Sequence, residues 1–155
     1  MRRSKILQAF AFALLPTLTL VADVTTGDAA STNRLLVIER SSTRVSAAKA
    51  TLTIEPLVRT NQIFAGNYDV KVSPFFFKSE SGKLEIHVPD ESLAKATNGV
   101  PVEITGTALT NGENVKRKVN AIATPIDNTQ GKLKVWFLAD NREMVFQTTY
   151  RLVER

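Results

Sequence analysis

From residue 51 onward, apolar and polar side chains alternate in short runs, and turn residues separate the runs. This is the pattern of half-buried β-strands, not of helices, whose apolar positions recur at spacings of three and four. It predicts strands near 34–39, 51–58, 67–77, 83–88, 100–109, 115–124, 132–139 and 143–153. One interruption reads differently. In "PDESLAKATNG", residues 89–99, Asp90 can cap a helical turn, Leu93, Ala94 and Ala96 favour it, and Gly99 can end it. The predicted fold is all-β: an antiparallel β-sandwich, immunoglobulin-like or related, of seven or eight strands with one short helical turn near 90–98.

Two hairpins carry that expectation. In "VPVEITGTALTNGENVKRKVNAIA" the pair Asn111-Gly112 signals a two-residue type I′ turn, which needs positive φ at both positions. Pairing Thr110 with Glu113 sets Ala108 against Val115, Ile104 against Val119 and Val102 against Ala121. It also puts Arg117 opposite Gly106 on an otherwise apolar face, where its long side chain can reach past the glycine. In "GKLKVWFLADNREMVFQTTYRLV" a turn over Ala139–Arg142 pairs Phe137 with Met144, Val135 with Phe146 and Leu133 with Thr148. Tyr150 and Leu152 continue that core face. The opposite face carries Lys132, Lys134, Gln147, Thr149, Arg151 and the single tryptophan, Trp136.

The stretch "VKVSPFFFKSESGK", residues 70–83, breaks the alternation. Parity from Val70 and Val72 places Phe76 in the core and leaves Phe75 and Phe77 on the polar face. Pro74 marks an edge or a bulge.

The beginning of the chain follows a different rule. Arg2, Arg3 and Lys5 precede an apolar run from Ile6 to Leu15, Pro16 breaks it, and small residues follow at Ala22, Ala29 and Ala30. Residues 1–29 are expected to be a Sec-type secretory signal peptide, cleaved after Ala29 or Ala22. Residues 6–24 could alternatively form an uncleaved anchor helix, against which Pro16, Thr17 and Thr19 weigh. Residues 30–50 are expected to hold an N-terminal strand and, in "RSSTRVSAAKA" at 40–50, a linker. Residues 51–155 then form the sandwich. The mature protein is expected outside the cytoplasm, periplasmic or secreted, with no membrane span once the leader is gone.

Composition narrows the chemistry. The chain of 155 residues has no cysteine, which excludes disulfides, zinc–thiolate sites and thiol nucleophiles. Without residues 1–29 the 20 basic and 15 acidic residues become 17 and 13, a modest positive balance. The run Lys116-Arg117-Lys118 reads as a solvated strand face, and no nucleic-acid partner is expected of an exported protein. His87, the only histidine, shares a strand face with Glu85 and Lys83; one histidine beside one carboxylate is not a metal constellation. No G-x-S-x-G elbow or glycine-rich phosphate loop occurs. Asp69, Asp90, Glu91, Asp127 and Asp140 sit in turn-like surroundings that explain them without catalysis. No cofactor or metal is implied.

In strand number and spacing, residues 50–155 resemble immunoglobulin-like β-sandwich modules, without the Cys–Trp–Cys framework of true immunoglobulin domains. Such a resemblance does not transfer function. Aromatic side chains on polar faces suggest a non-enzymatic module that binds a protein, an envelope polymer or a glycan. Trp136, Lys134, Gln147 and Arg151 are its candidate ligand face. The alternative is an assembly subunit that pairs through a sheet edge, with Phe75 and Phe77 at the seam. A carboxylate-dependent hydrolase is the third reading.

Overall fold

The computed structural model describes residues 34–112, 115–139 and 141–154. The segment read as a signal peptide lies outside them. The strands are β1 Arg34–Ile38, β2 Ser41–Val45, β3 Ala48–Ile54, β4 Leu57–Thr60, β5 Ile63–Ser73, β6 Glu80–His87, β7 Val102–Thr110, β8 Lys116–Pro125, β9 Gln130–Ala139 and β10 Arg142–Glu154. Helix α1, Asp90–Thr97, joins β6 to β7.

The register reduces these strands to eight staves. Leu36 faces Leu57, and five residues further Ser41 faces Leu52. β1 and β2 are therefore one line of chain, interrupted at Glu39-Arg40 and running antiparallel to β3–β4. Against β5, Ile54 faces Tyr68 but Val58 faces Ala65. Four steps on one side match three on the other, so Glu55-Pro56 is a bulge. Pro56 has no amide to give to a ladder, which makes it the natural extra residue.

Each stave pairs with the next along the chain, and β10 returns to β1, Arg34 facing Glu154 and Ile38 facing Tyr150. The result is a closed eight-stranded antiparallel barrel. The all-β expectation holds, and the sandwich is corrected to a barrel. Alternation is common to both architectures. The ladder between the first and last strands is what closes this one. Residues 40–50 are likewise not a linker: β2 turns at Ser46, with φ of 57°, directly into β3.

The inward positions of every stave form one core, with Leu57, Phe64, Val70 and Phe146 among its most buried side chains. Phe137 and Phe146 stack inside it at 5.9 Å. The outward positions carry Lys83, Glu85, Glu103, Lys118, Lys132 and Lys134, all exposed. That polarity, apolar inside and charged outside, is the reverse of a lipid-spanning barrel. Tight coiling needs small residues where strands approach; a Cβ at Gly82 would run into the Leu109 carbonyl.

The two ends differ. At one, the chain turns at Asn61-Gln62 and at 126–129, and α1 lies across the opening with Leu93 in the core. Here Arg59, fully buried, reaches Asp90 at the start of α1 (2.7 Å) and the Val88 carbonyl (3.2 Å). Asp90 is thus the first helical residue and an ion-pair partner, while Pro89 takes the cap position. At the other end four turns surround an opening: β2–β3, β5–β6, β7–β8 and β9–β10.

The second predicted hairpin is found in its expected register, Phe137 on Met144 and Val135 on Phe146. The first is shifted by two. Ile104 faces Ala121 and Val102 faces Ala123, because Thr110 bonds Val115 across a longer loop. In the Asn111-Gly112 pair only Gly112 has positive φ, at 84°. A shift of two leaves every side chain on its predicted face.

Candidate functional site at the barrel mouth

The opening leads into a cavity of about 860 Å³. Its two sides differ in chemistry because inward positions near the mouth differ from strand to strand. β2, β3, β9 and β10 contribute Val45, Ala48, Ala50, Phe137, Ala139 and Met144, and β5 adds Val70 and Val72. The small alanines leave the space that larger side chains fill lower in the barrel.

The other side is polar. Arg117 on β8 reaches across β7 to Glu80 on β6, with its Nε and Nη2 at 3.2 and 2.9 Å from Glu80 Oε2. Tyr68 on β5 donates to the other carboxylate oxygen at 3.4 Å, and its oxygen lies 3.1 Å from the Thr110 hydroxyl of β7. Four consecutive staves thus share one hydrogen-bonded network. Burial raises the Tyr68 phenol above its ordinary pKa; the Thr110 bond and Arg117 oppose this, and the Glu80 charge adds to it. The phenol therefore stays a donor.

At the rim, Arg142 Nη1 bonds Ser46 Oγ at 3.1 Å, linking β10 to the β2–β3 turn. Phe75 and Phe77 complete the rim, their rings edge to face at 6.0 Å.

The structure separates the candidates expected from sequence. Phe75 and Phe77 belong to the mouth. They follow the end of β5 instead of lying on a strand: Ser73-Pro74 is a cis peptide, and Phe76–Lys78 is a single 3₁₀ turn. Phe76, expected in the core, is 70% exposed and does not line the cavity. Strand parity stops at Ser73, so it cannot be carried through Pro74. β5 is paired on both sides, to β3 as far as Ser73 and to β6 as far as Val70, so the phenylalanines do not mark a free edge.

Trp136, Lys134, Gln147 and Arg151 share the outer face of β9–β10, away from the cavity. Trp136 is half-buried, facing Val145 and Asn120. Lys134 Nζ lies 5.6 Å from its ring centre, and Lys134 faces Gln147. Arg151 pairs with Glu39 at 3.1 Å. His87 points outward from β6 toward a shallow groove with Glu85 and Lys118. Among the described residues no group of three or more His, Cys, Asp or Glu converges as a metal site, and no helix is long and apolar enough to cross a membrane.

Arg117, Glu80 and Arg59 are the residues sequence reasoning missed. Arg117 alternates onto the apolar face, which was a visible signal. Glu80 lies before the predicted start of its strand at 83. Arg59 shares the parity of Leu57 but lies one residue beyond a strand predicted to end at 58.

Fold and site together define a class: a closed eight-stranded antiparallel barrel, plugged by a helix at one end, with an amphipathic cavity at the other. No protein-family model matches the chain, and comparison with curated proteins and with solved structures likewise finds no match.

Proposed function

We propose that this protein is an exported, non-enzymatic binding protein that holds one small amphipathic molecule in the mouth of its barrel. The observation that carries this is the cavity itself. At about 860 Å³, it lies within the range of roughly 300–1,000 Å³ typical of ligand sites. One apolar wall faces a polar one, so the cavity can hold both parts of an amphipathic molecule. The apolar side receives the body of the ligand. The Arg117–Glu80–Thr110 side, braced by the Tyr68 hydroxyl, orients its polar group.

Binding is preferred to catalysis because Glu80, the carboxylate lining the cavity among the described residues, is engaged by Arg117. The mouth is preferred to the outer face because Lys134 and Arg151 are already occupied by Trp136 and Glu39. A recess inside the barrel mouth also suits a small molecule better than a polymer or glycan chain. Export rests on the layout of residues 1–29.

The test is titration with the neutral fluorophore N-phenyl-1-naphthylamine. Saturable binding at one site is expected. Ala139→Trp, which fills the cavity from a half-buried position at its lip, should weaken binding at least about tenfold. Binding unchanged by that substitution would place the ligand elsewhere and overturn the reading.

A further inference from the structure

Phe75, Phe76 and Phe77 are 39, 70 and 82% exposed. Consecutive phenylalanines facing water forgo the stabilisation that burial would supply. Their exposure is built into the backbone. Phe76 N donates to Pro74 O (3.1 Å), Lys78 N to Phe75 O (2.9 Å) and Ser79 N to Phe76 O (3.0 Å). The Ser79 hydroxyl accepts from Val72 N at 3.0 Å, tying the turn back to β5. The tip is thus a hydrogen-bonded apolar projection at the rim of the open end.

Charge is distributed unevenly along the barrel. The segments that form the mouth, 44–49, 71–80, 110–117 and 139–143, carry seven basic and four acidic residues. Those of the closed end, 34–38, 57–63, 87–101, 125–130 and 151–154, carry four of each. The apolar tip and the positive excess therefore sit at the same end. Basic residues come from all four mouth segments.

We propose that the Phe75–Phe77 tip and its basic surround dock the barrel mouth on an anionic lipid bilayer. Aromatic rings enter the boundary between headgroups and acyl chains, and lysine and arginine meet the anionic headgroups. The complementarity is twofold, apolar at the tip and cationic around it, and a bilayer surface satisfies both without a shaped partner. Docking in this orientation sets the cavity against the lipid. The inference stands on the tip and the charge distribution, whatever the cavity holds.

The test uses the protein as recovered from the cell that produces it, with its N-terminus established by mass. It is sedimented with vesicles of phosphatidylcholine alone, or of equal parts phosphatidylcholine and phosphatidylglycerol. Binding is expected on the anionic vesicles, weakening as salt is raised. The double variant Phe76→Ser/Phe77→Ser should bind at least about tenfold more weakly with an unchanged unfolding midpoint. Lys71→Gln/Lys116→Gln should lose several-fold. As a second measure, Trp136→Phe/Phe76→Trp carries its one indole at the tip, and its emission should shift to the blue on anionic vesicles only. Equal binding by the phenylalanine variant, binding indifferent to lipid charge and salt, or an unshifted indole would each overturn the proposal. Loss of self-association in the phenylalanine variant, without loss of vesicle binding, would assign the tip to a contact between copies and overturn it too.

Discussion

Arg117 and Glu80, two staves apart on the barrel wall, meet inside its mouth through a single carboxylate oxygen, with Arg117 Nη2 at 2.9 Å from Glu80 Oε2. Their side chains retain 22% and 15% of their exposure, so neither is fully surrendered to the interior. Arg117→Met or Glu80→Gln alone leaves the other charge poorly solvated and should cost about 1–3 kcal/mol. That is below the roughly 3–5 kcal/mol of a fully buried pair, because water still reaches these groups. The double variant should recover most of the loss. Denaturant unfolding of all four proteins checks this; losses that simply add would show that the two do not interact.

The closed end makes an unequal pair. Arg59 is wholly buried, and its Nε and Nη1 have no hydrogen-bond partner among the described residues, whereas Asp90 is largely exposed. Asp90→Ala abandons a buried cation with little beyond the Val88 carbonyl and the face of Phe64, 5.6 Å from the guanidinium. It should cost about 3 kcal/mol. Arg59→Met removes the charge and its orphaned donors together and returns Asp90 to solvent, so it should cost less. Thermal midpoints of the two variants decide the order. The reverse ranking would mean that packing against Phe64, not the ion pair, governs this end.

Asp127 turns the chain between β8 and β9. Its carboxylate accepts from the Thr129 amide (2.8 Å), the Gln130 side chain (2.8 Å), the Thr129 hydroxyl (2.9 Å) and the Gln130 amide (2.9 Å). Those bonds, the Thr129 amide first, hold its pKa at about 2, against an ordinary 3.8. The folded value is the lower one. The stabilisation is therefore present above the unfolded value and disappears as pH falls from about 4 toward 2. The stability gap between the native protein and Asp127→Asn should be widest above that window and shrink within it. A gap independent of pH would show that the turn does not need the charge.

Phe76 and Phe137 should respond in opposite ways to truncation. Phe137 is buried and stacked on Phe146, so Phe137→Ala should cost about 3–5 kcal/mol. Phe76→Ala should stay within about 0.5 kcal/mol, as exposed substitutions do. Comparable losses at both would bury the tip.

The strands and their inward faces were legible because alternation reports burial directly. The β9–β10 hairpin was legible down to its register. The β7–β8 hairpin was not: Asn111-Gly112 suggests the shortest loop, whereas the ladder begins two residues further out. The barrel was not legible either. Closing the sheet depends on Arg34–Ile38 finding Tyr150–Glu154, and no local pattern encodes a partner at the far end of the chain. β2 passed for a linker because its inward residues, Ser41, Thr43 and Val45, are small or polar. Near the mouth, Val45 with Ala48 and Ala50 leaves room for the cavity. Part of the site was therefore hidden by the property that makes it a site.

The β1–β10 ladder also bears on the order in which the fold assembles. Every other ladder joins staves that are neighbours along the chain, so each can form as a local hairpin or short crossover at modest entropic cost. Pairing Arg34 with Glu154 requires nearly the whole described chain to be gathered first. The ladder that closes the barrel is therefore expected to form last, after the local ladders are in place. Substitutions on β1 that weaken this ladder belong to the last step, and they should speed unfolding far more than they slow folding.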